Sequence, residues 1–205
     1  MTEKDLMLAG ELYDSRDAQL QEDCRRSRQL TRLFNATTEE QMEYRVELLK
    51  KLFKRTGEKI YIEPPFRCDY GSNITIGENF YANFDCIILD VAEVFIGDNV
   101  LFAPRVSVYT VGHPTDTFTR NLFLGNAKRI FIGNNVWIGG NTVINPGVRI
   151  GDDSVIGAGS VVTHGIPENV VAAGNPCRVL REISEEEKQY WRQQLDRRNR
   201  LLAKE

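Results

Sequence analysis

The chain contains two histidines, His113 and His164, so any chemistry that needs an imidazole must use one of them. His113 opens a polar stretch, HPTDTFTRNLFLGNA (113–127), which interrupts a regular pattern of aliphatic residues. An imidazole can accept and release a proton near neutral pH, which suits a general base. A loop on a regular scaffold commonly carries binding or catalytic groups. We therefore predict that His113 is a general base rather than a structural histidine.

The other side chains that could bind metal or act as nucleophiles give weaker signals. A zinc site built on three histidines needs one more than the chain has, so we predict that no metal is required. The four cysteines form no CxxC pair, and the polar N-terminal stretch does not resemble an export signal. We expect reduced, non-catalytic thiols in a cytoplasmic protein. These thiols are Cys24, Cys68, Cys86 and Cys177.

The overall charge excludes two classes of partner. The 205 residues include 26 basic and 29 acidic side chains, for a formal net charge of −3 at pH 7. This balance argues against a dominant basic surface for nucleic acid or anionic lipid. No apolar run approaches the roughly 18–20 residues that span a bilayer. We therefore expect neither nucleic acid nor a membrane as a partner.

A six-residue repeat in the middle of the chain predicts the fold. A strand repeats every second residue and a helix about every 3.6, so a period of six indicates short strands separated by corners. Three such strands close a triangular coil of about 18 residues, which predicts a parallel β-helix of five or six coils. The aliphatic residues in phase are Ile132, Ile138, Ile144, Ile150, Ile156 and Val162, each followed four residues later by Val136, Thr142, Val148, Ser154, Ser160 and Ile166.

The chain divides into three zones on this basis. Residues 1–57 have helical spacing, residues 58–183 carry the repeat with the loop 113–127, and residues 184–205 are helical again. Within the first zone we expect a helix that starts at Thr38 and stops at Gly57. In the last zone, Ser184 and Glu187 form a capping box. The helical zones are expected to cap or brace the open ends of the solenoid.

Several motifs together resemble the maltose and galactoside O-acetyltransferases over essentially the whole chain. These motifs are AGELYD (9–14), EPPFRCDYGSNI (63–74), NFYANFDC (79–86), GHP (112–114), IGNNVWIGG (132–140), INPGV (144–148), IGAGSVVT (156–163) and AAGNPCRV (172–179). FRCDYG and NFDC are more similar to the maltose type. The resemblance implies a mainly β protein, with a left-handed parallel β-helix, N-terminal helices, a protruding loop and a C-terminal helix. It also implies a homotrimer with active sites between subunits.

The resemblance implies direct transfer of the acetyl group of acetyl-CoA to a sugar hydroxyl, with His113 as the base. The acceptor hydroxyl would be the C6 hydroxyl of a sugar such as maltose, glucose or a galactoside. The alternative is a hexapeptide acetyltransferase that acts on another small acceptor, an oligosaccharide or a xenobiotic. A solenoid that binds without catalysis is disfavoured because the histidine of the GHP motif is present.

The acceptor side of the predicted site rests on the same resemblance. Asn83 is implied as a catalytic and acceptor-binding residue, with a left-handed corner residue as its structural alternative. Asp69 corresponds to a position that contacts the sugar. A further acid is expected at Asp14 or Asp17, although an ungapped alignment places Ser15 there. An acid of the next coil corresponds to Asp90 or its neighbour Val91.

The coenzyme side is also implied by the resemblance. Gly139 and Gly140 would let the pantetheine arm approach the backbone, with Trp137 as an apolar wall. One groove across successive coils would contain Ala158, Gly159, Ser160 and Thr163. His164 is expected near the phosphates or the pantetheine. Phosphate contacts are expected from Arg178 and Arg181, with solvated surface arginines as the alternative.

Overall fold

The N-terminal zone contains three helices that pack around the start of the solenoid. The computed structural model describes residues 1–203. Thr2 and Asp5 form a capping box at the start of the first helix, and Asp17 caps the second helix by accepting from the amides of Gln19 and Leu20. The elements are α1 (Glu3–Ala9), β1 (Tyr13–Asp14), α2 (Ala18–Asn35) and α3 (Met42–Leu52).

Both predicted ends of α3 are wrong. Thr38 begins a turn, in which the amide of Gln41 donates to the Thr38 carbonyl and the Gln41 side chain accepts from the Thr38 amide, at 3.1 and 3.0 Å. The helix begins only at Met42 and ends at Leu52, before Gly57 is reached. It ends early because Phe53 is extended and the next amide, that of Lys54, donates to the carbonyl of Ile74 in the first coil.

The middle zone is a parallel β-helix with three faces. Face 2 stacks six parallel strands, which corresponds to about six turns. Face 1 consists of β4 (Ile74–Ile76), β7 (Val94–Ile96), β12 (Ile130–Ile132) and β15 (Arg149–Ile150). Face 2 consists of β2 (Ile60–Ile62), β5 (Phe80–Ala82), β8 (Leu101–Phe102), β13 (Trp137–Ile138), β16 (Val155–Ile156) and β18 (Val170–Ala173). Face 3 consists of β3 (Phe66–Cys68), β6 (Cys86–Leu89), β9 (Ser107–Tyr109), β14 (Val143–Ile144) and β17 (Val161–Val162).

The six-residue repeat forms the core, as the sequence predicts. All six aliphatic residues from Ile132 to Val162 are at most 3% exposed. The small residues four positions later point inward as well, and Thr142, Ser154 and Ser160 are completely buried. Each aliphatic side chain lies in register with its equivalent one coil away, so that Ile138 pairs with Phe102 and Ile156. Burial of this continuous stack removes apolar surface from water along the whole prism.

The corner between faces 1 and 2 is built from asparagine and aspartate in the left-handed backbone region. Asn79, Asn99, Asn135 and Asp153 have φ values of 55–57°. Their side chains form a ladder with successive hydrogen bonds of 2.9, 3.0 and 2.8 Å. These residue types tolerate the left-handed region because their short polar side chains can hydrogen-bond locally.

The loop that starts at His113 has more structure than its polar sequence suggests. It contains α4 (Thr117–Arg120) and β11 (Leu124–Ala127), and the coil resumes at Ile130. β11 pairs antiparallel both with β10 (Val111–Gly112) and with β1 from the N-terminal zone. A second, smaller apolar cluster lies beneath this sheet and includes Met7, Tyr13 and Leu20.

The C-terminal part leaves the solenoid. β19 (Arg178–Glu182) turns back antiparallel along β18, and α5 (Glu185–Leu202) follows. The Ser184 hydroxyl accepts from the amide of Glu187 at 3.2 Å, which is one half of the predicted capping box. Residues 204 and 205 of this predicted zone lie outside the described residues. No helix within residues 1–203 is long and apolar enough to cross a bilayer.

Candidate active site

His113 is exposed at the start of the loop, and its ring has a defined partner. Nδ1 lies 3.2 Å from the carbonyl oxygen of Leu124, the first residue of β11. Because a carbonyl oxygen can only accept a hydrogen bond, the proton of a neutral ring in this contact is on Nδ1. The other nitrogen, Nε2, is then the one with a lone pair that can accept a proton.

An open cavity of about 530 Å³ lies against His113. Only His113 among its lining residues was predicted as a site residue. The ungapped alignment also points to Ser15, whereas no sequence pattern indicates Arg120, Asn121 and Phe123, because they lie inside a loop without the repeat. The residues lining the cavity are Ser15, His113, Arg120, Asn121 and Phe123.

Hydrogen bonds within the loop hold the backbone that follows His113. The guanidinium of Arg120 donates to the carbonyls of Pro114 and Thr115, at 2.9 and 3.0 Å. Asp116 caps α4 by accepting from the amide and the hydroxyl of Thr119, both at 2.7 Å. The segment therefore presents His113 from an ordered backbone, which is what a general base requires.

The β1–β11 pairing decides which N-terminal residue reaches the cavity. Tyr13 pairs with Gly125 and Asp14 pairs with Leu124, which brings Ser15 to the cavity beside His113. The carboxylate of Asp14 instead binds Arg16 through hydrogen bonds of 2.8 and 2.7 Å. These hydrogen bonds from Arg16 lower the pKa of Asp14 to about 2. Asp17 caps α2. Neither acid lines the cavity, so the expectation for this position moves to Ser15.

Asp90 has a structural role, contrary to the prediction. It is completely buried, and its carboxylate accepts from the backbone amides of Asp69, Tyr70 and Asn73 at 2.9–3.2 Å. Burial raises the pKa of Asp90 to about 7. Its neighbour Val91 is buried as well, in the smaller apolar cluster.

The half-buried Asp69 lies at the corner between faces 3 and 1. The His113 loop leaves the solenoid at this same corner. β3 ends one residue before Asp69, and β9 ends shortly before Val111. Burial raises the pKa of the Asp69 carboxyl, and the positive charge of Arg28 partly opposes this effect. Asp69 is therefore placed on the same side of the solenoid as His113.

Asn83 lies at a different corner from His113. It follows β5 of face 2, and its side-chain oxygen accepts from the amide of Phe84 at 2.8 Å. Asp90 and the His113 loop follow strands of face 3. The four residues of β6 separate these corners by roughly 13 Å of strand. Within one chain, the two predicted catalytic residues therefore flank face 3 from opposite edges.

The predicted coenzyme residues are divided between these two corners. Gly139 and Ala158 lie on the corner that carries Asn83, as the ladder of backbone hydrogen bonds shows. Thr163 follows β17 of face 3 and lies on the other corner. Ser160 is buried, and its hydroxyl donates to Gly157 and accepts from Gly174. Within one chain, the side chains of these residues therefore do not line one groove.

The three predicted glycines differ in how much space a side chain would have at each position. A Cβ at Gly139 would lie 2.5 Å from the amide nitrogen of Ala158, so the close stacking of coils requires glycine there. Gly159 has φ +72°, and a Cβ there would meet open space. Gly140 lies between these extremes, with a Cβ position 3.1 Å from the carbonyl of Pro104. Gly159 and the exposed Ala158 therefore leave the backbone accessible.

A second cavity brings two of the predicted coenzyme residues together. His164 and Arg178 both line an opening of about 270 Å³ at the end of the solenoid. The hydroxyl of Thr163 lies 2.9 Å from Nδ1 of His164. Arg181 is held differently, because its guanidinium pairs with the carboxylate of Glu187 in α5.

Trp137 lies on the outer side of face 2. It pairs in register with Leu101 and Val155, and its side chain is 51% exposed. It is therefore available as an apolar surface next to the coil corner of Gly139.

Among residues 1–203, no three His, Cys, Asp or Glu side chains come together in a group that could hold a metal ion.

All four cysteines are free thiols. Only Cys177 lines one of the two cavities described above, the smaller one. Burial raises the pKa of Cys86 to about 11, and it also raises the pKa of Cys68 well above the ordinary value of a thiol. Burial also raises the pKa of Cys24 and Cys177. Because the thiolate is the nucleophilic form, these shifts argue against nucleophilic cysteines at neutral pH.

Comparison with known proteins identifies the family. Residues 6–57 match the maltose acetyltransferase hexapeptide capping motif, and residues 129–164 match the bacterial transferase hexapeptide with six repeats. The chain is 50% identical to the galactoside O-acetyltransferase of Escherichia coli over 191 residues, which cover 93% of each protein. It belongs to the family of maltose and galactoside O-acetyltransferases.

Solved structures of this family share the same fold. A maltose O-acetyltransferase from Clostridium difficile is 52% identical, with a TM-score of 0.89 and coverage of 90% of this chain and 99% of that one. A galactoside acetyltransferase in complex with coenzyme A is 49% identical, also with a TM-score of 0.89, and coverage is 92% and 94%. The two identities are nearly equal, so overall similarity does not distinguish the maltose type from the galactoside type.

Proposed function

We propose that this protein transfers the acetyl group of acetyl-CoA to the C6 hydroxyl of a sugar such as maltose, glucose or a galactoside. The observation that carries the proposal is the hydrogen bond from His113 Nδ1 to the Leu124 carbonyl, beside an open cavity. It leaves Nε2 as the nitrogen that takes a proton. The family, whose galactoside member was solved with coenzyme A, supports the choice of acetyl donor.

The acetyl thioester supplies the carbonyl carbon that is attacked. A sugar hydroxyl is too weak an acid to ionise at neutral pH, so it needs a base during the attack. Nε2 of His113 takes the hydroxyl proton as the new carbon–oxygen bond forms. The ring is then an imidazolium, and the Leu124 carbonyl stabilises it through Nδ1–H. As the carbon–sulfur bond breaks, Nε2 returns the proton to the leaving sulfur.

We propose that the coenzyme binds to residues at both edges of face 3. Arg178 and His164 share one cavity, where a guanidinium suits a phosphate group. Ala158 and Gly159 expose their backbone, and Gly139, Gly140 and Trp137 lie one coil earlier. Thr163 adjoins His164. Arg181 would first have to leave Glu187, so we assign it a smaller contribution.

The division of the site between two corners supports a homotrimer. Face 3 lies between the corner that carries His113 and the corner that carries Asn83. If face 3 of each copy is directed toward a three-fold axis, His113 of one copy approaches Asn83 of the partner subunit. The outer row of face 3 consists of residues in register on successive coils, namely Arg67, Ile87, Ser107, Val143 and Val161. Its three aliphatic residues, with Leu89 and Tyr109 beside the row, suit such packing.

In this arrangement, Asn83 hydrogen-bonds the acceptor near the hydroxyl that reacts at His113, and Asp69 accepts from another sugar hydroxyl. Sedimentation tests the assembly directly. We expect a species of about three times the chain mass of 23.4 kDa. A fully active monomer would refute both the trimer and the shared site.

Assay of thiol release from acetyl-CoA tests the activity. We expect release that depends on a sugar acceptor, and the position of the ester is then read by NMR of the product. An oligosaccharide and a xenobiotic alcohol serve as competing acceptors. No release with any sugar would refute the proposal.

Four free thiols fit a reducing compartment, and we propose the cytoplasm as the location.

A further inference from the structure

Phe123 combines an exposed aromatic ring with an unfavourable backbone conformation. Its φ is +63°, and its side chain is 66% exposed. Of the nine non-glycine residues with positive φ in the described part of the chain, seven are asparagine or aspartate, which tolerate this region. For a residue with a larger side chain the left-handed region is unfavourable, because Cβ comes too close to the following carbonyl oxygen. Little burial offsets this cost, which directs attention to a role in binding.

The position of Phe123 in the loop would suit a glycine. Its amide donates to the carbonyl of Arg120, the last residue of α4, at 3.0 Å. Left-handed residues just after a helix are usually glycine, because glycine adopts this conformation without steric cost. The phenyl ring is therefore not needed for the turn itself.

One face of the Phe123 ring is held in place by a fixed cation. The guanidinium carbon of Arg16 lies over the ring, 5.5 Å from its centroid. Asp14 fixes Arg16 through two hydrogen bonds, and Arg16 also donates to the carbonyl of Leu122 at 3.3 Å. The ring lines the same cavity as His113, where it is the one fully apolar side chain among the lining residues.

We propose that Phe123 is a stacking platform for the acceptor and makes the enzyme prefer pyranosides to acyclic polyols. The face of an aromatic ring is electron-rich, and one side of a pyranose ring presents C–H bonds with slight positive charge. Stacking on Phe123 would leave the sugar hydroxyls at the rim, where Ser15, Asn121 and His113 are polar. This inference rests on the proposed function, because it concerns the acceptor of that same reaction.

Three variants test the platform. Phe123→Gly removes the ring and suits the left-handed backbone, so its melting temperature should equal or exceed that of the wild type. Phe123→Tyr keeps the aromatic face. Phe118→Ala is the matched control, because Phe118 is 75% exposed on α4 of the same loop but does not line the cavity. KM is measured for maltose, for glycerol as an acyclic acceptor, and for acetyl-CoA.

We expect Phe123→Gly to raise the KM for maltose about tenfold, the loss expected when a stacked aromatic surface is removed. The KM values for glycerol and acetyl-CoA should stay within about twofold of the wild type, since neither contacts the ring in this proposal. Phe123→Tyr should retain the wild-type KM for maltose, and so should Phe118→Ala.

Three results would overturn the inference. The first is an unchanged KM for maltose in Phe123→Gly. The second is an equal rise for glycerol, which would show that the ring does not recognise the pyranose. The third is dissociation of the assembly in Phe123→Gly, which would show that the ring is an interface residue. A wild-type enzyme that acetylates no sugar would refute the proposed function as well, whereas these three results leave it intact.

Discussion

Removal of the imidazole of His113 is the sharpest test of the proposed mechanism. His113→Ala should lower kcat by roughly 10²–10⁴, the usual contribution of a general base. This range corresponds to about 3–5 kcal/mol of lost transition-state stabilisation. The effect on folding should be much smaller, because His113 is exposed and makes one hydrogen bond, to the Leu124 carbonyl at 3.2 Å. Such a bond contributes about 0.5–1.5 kcal/mol to stability.

A second substitution at this position separates the base from the hydrogen bond. The side-chain amide of His113→Asn can still donate to the Leu124 carbonyl from a place similar to Nδ1, but it has no counterpart of Nε2. We therefore expect His113→Asn to lose as much kcat as His113→Ala. If the ring only orders the loop, His113→Asn should instead recover most of the activity.

The assay is thiol release from acetyl-CoA with maltose as acceptor, and both KM values are measured with sedimentation as a control. The KM for acetyl-CoA should barely change, because the cavity that contains His164 and Arg178 does not include His113. His164→Ala should change mainly that KM. Near-normal turnover in a correctly assembled His113→Ala variant would refute direct transfer with this base.

The remaining predictions concern stability and the coenzyme. Burial raises the pKa of Asp90 to about 7 from 3.8, so the folded chain keeps a proton that the unfolded chain has released. Below pH 3.8 both states hold this proton, so this group does not change the stability there. As the pH rises from 3.8 to about 7, the free energy of unfolding should fall by up to ~1.4 kcal/mol per pH unit. Urea unfolding at pH 5 and 7.5 should show this fall in the wild type and a weaker one in Asp90→Asn; a flat wild-type profile would contradict it. Arg178→Ala should raise the KM for acetyl-CoA more than that for the sugar, whereas Arg181→Ala should have a smaller effect; equal changes in both KM values for Arg178→Ala would make it structural. Replacement of all four cysteines, including the buried Cys86 and Cys177, by alanine or serine should lower stability but leave kcat within several-fold, and loss of turnover in a folded variant would reverse that assignment.

Much of the fold follows from local sequence alone. The period of six places one aliphatic residue on the inner side of every strand, and a residue four positions later is directed inward too, whatever the remote parts of the chain do. The buried series from Ile132 to Val162 follows from this rule. The prediction of His113 as the general base also follows from the sequence. The chain has two histidines, and His113 is the one that begins the loop 113–127, where the six-residue repeat is interrupted.

Tertiary structure decided what the neighbours of His113 are. Ser15 reaches the cavity because β1 pairs with β11, more than 100 residues later in the chain. Asp14 is one residue away, yet its carboxylate binds Arg16 and not the cavity. No local pattern distinguishes these two positions, because the pairing of remote strands determines which side chain lies at the loop.

The same physical reason explains the acids and the corners. Asp90 follows its strand as Asp69 does, but the backbone amides of the adjoining turn enclose its carboxylate. Asn83 and His113 are both corner residues by sequence, and only the stacking of coils places them at opposite edges of face 3. A short repeat determines inward and outward positions along the chain, whereas the contacts of outward residues depend on segments that are remote in sequence.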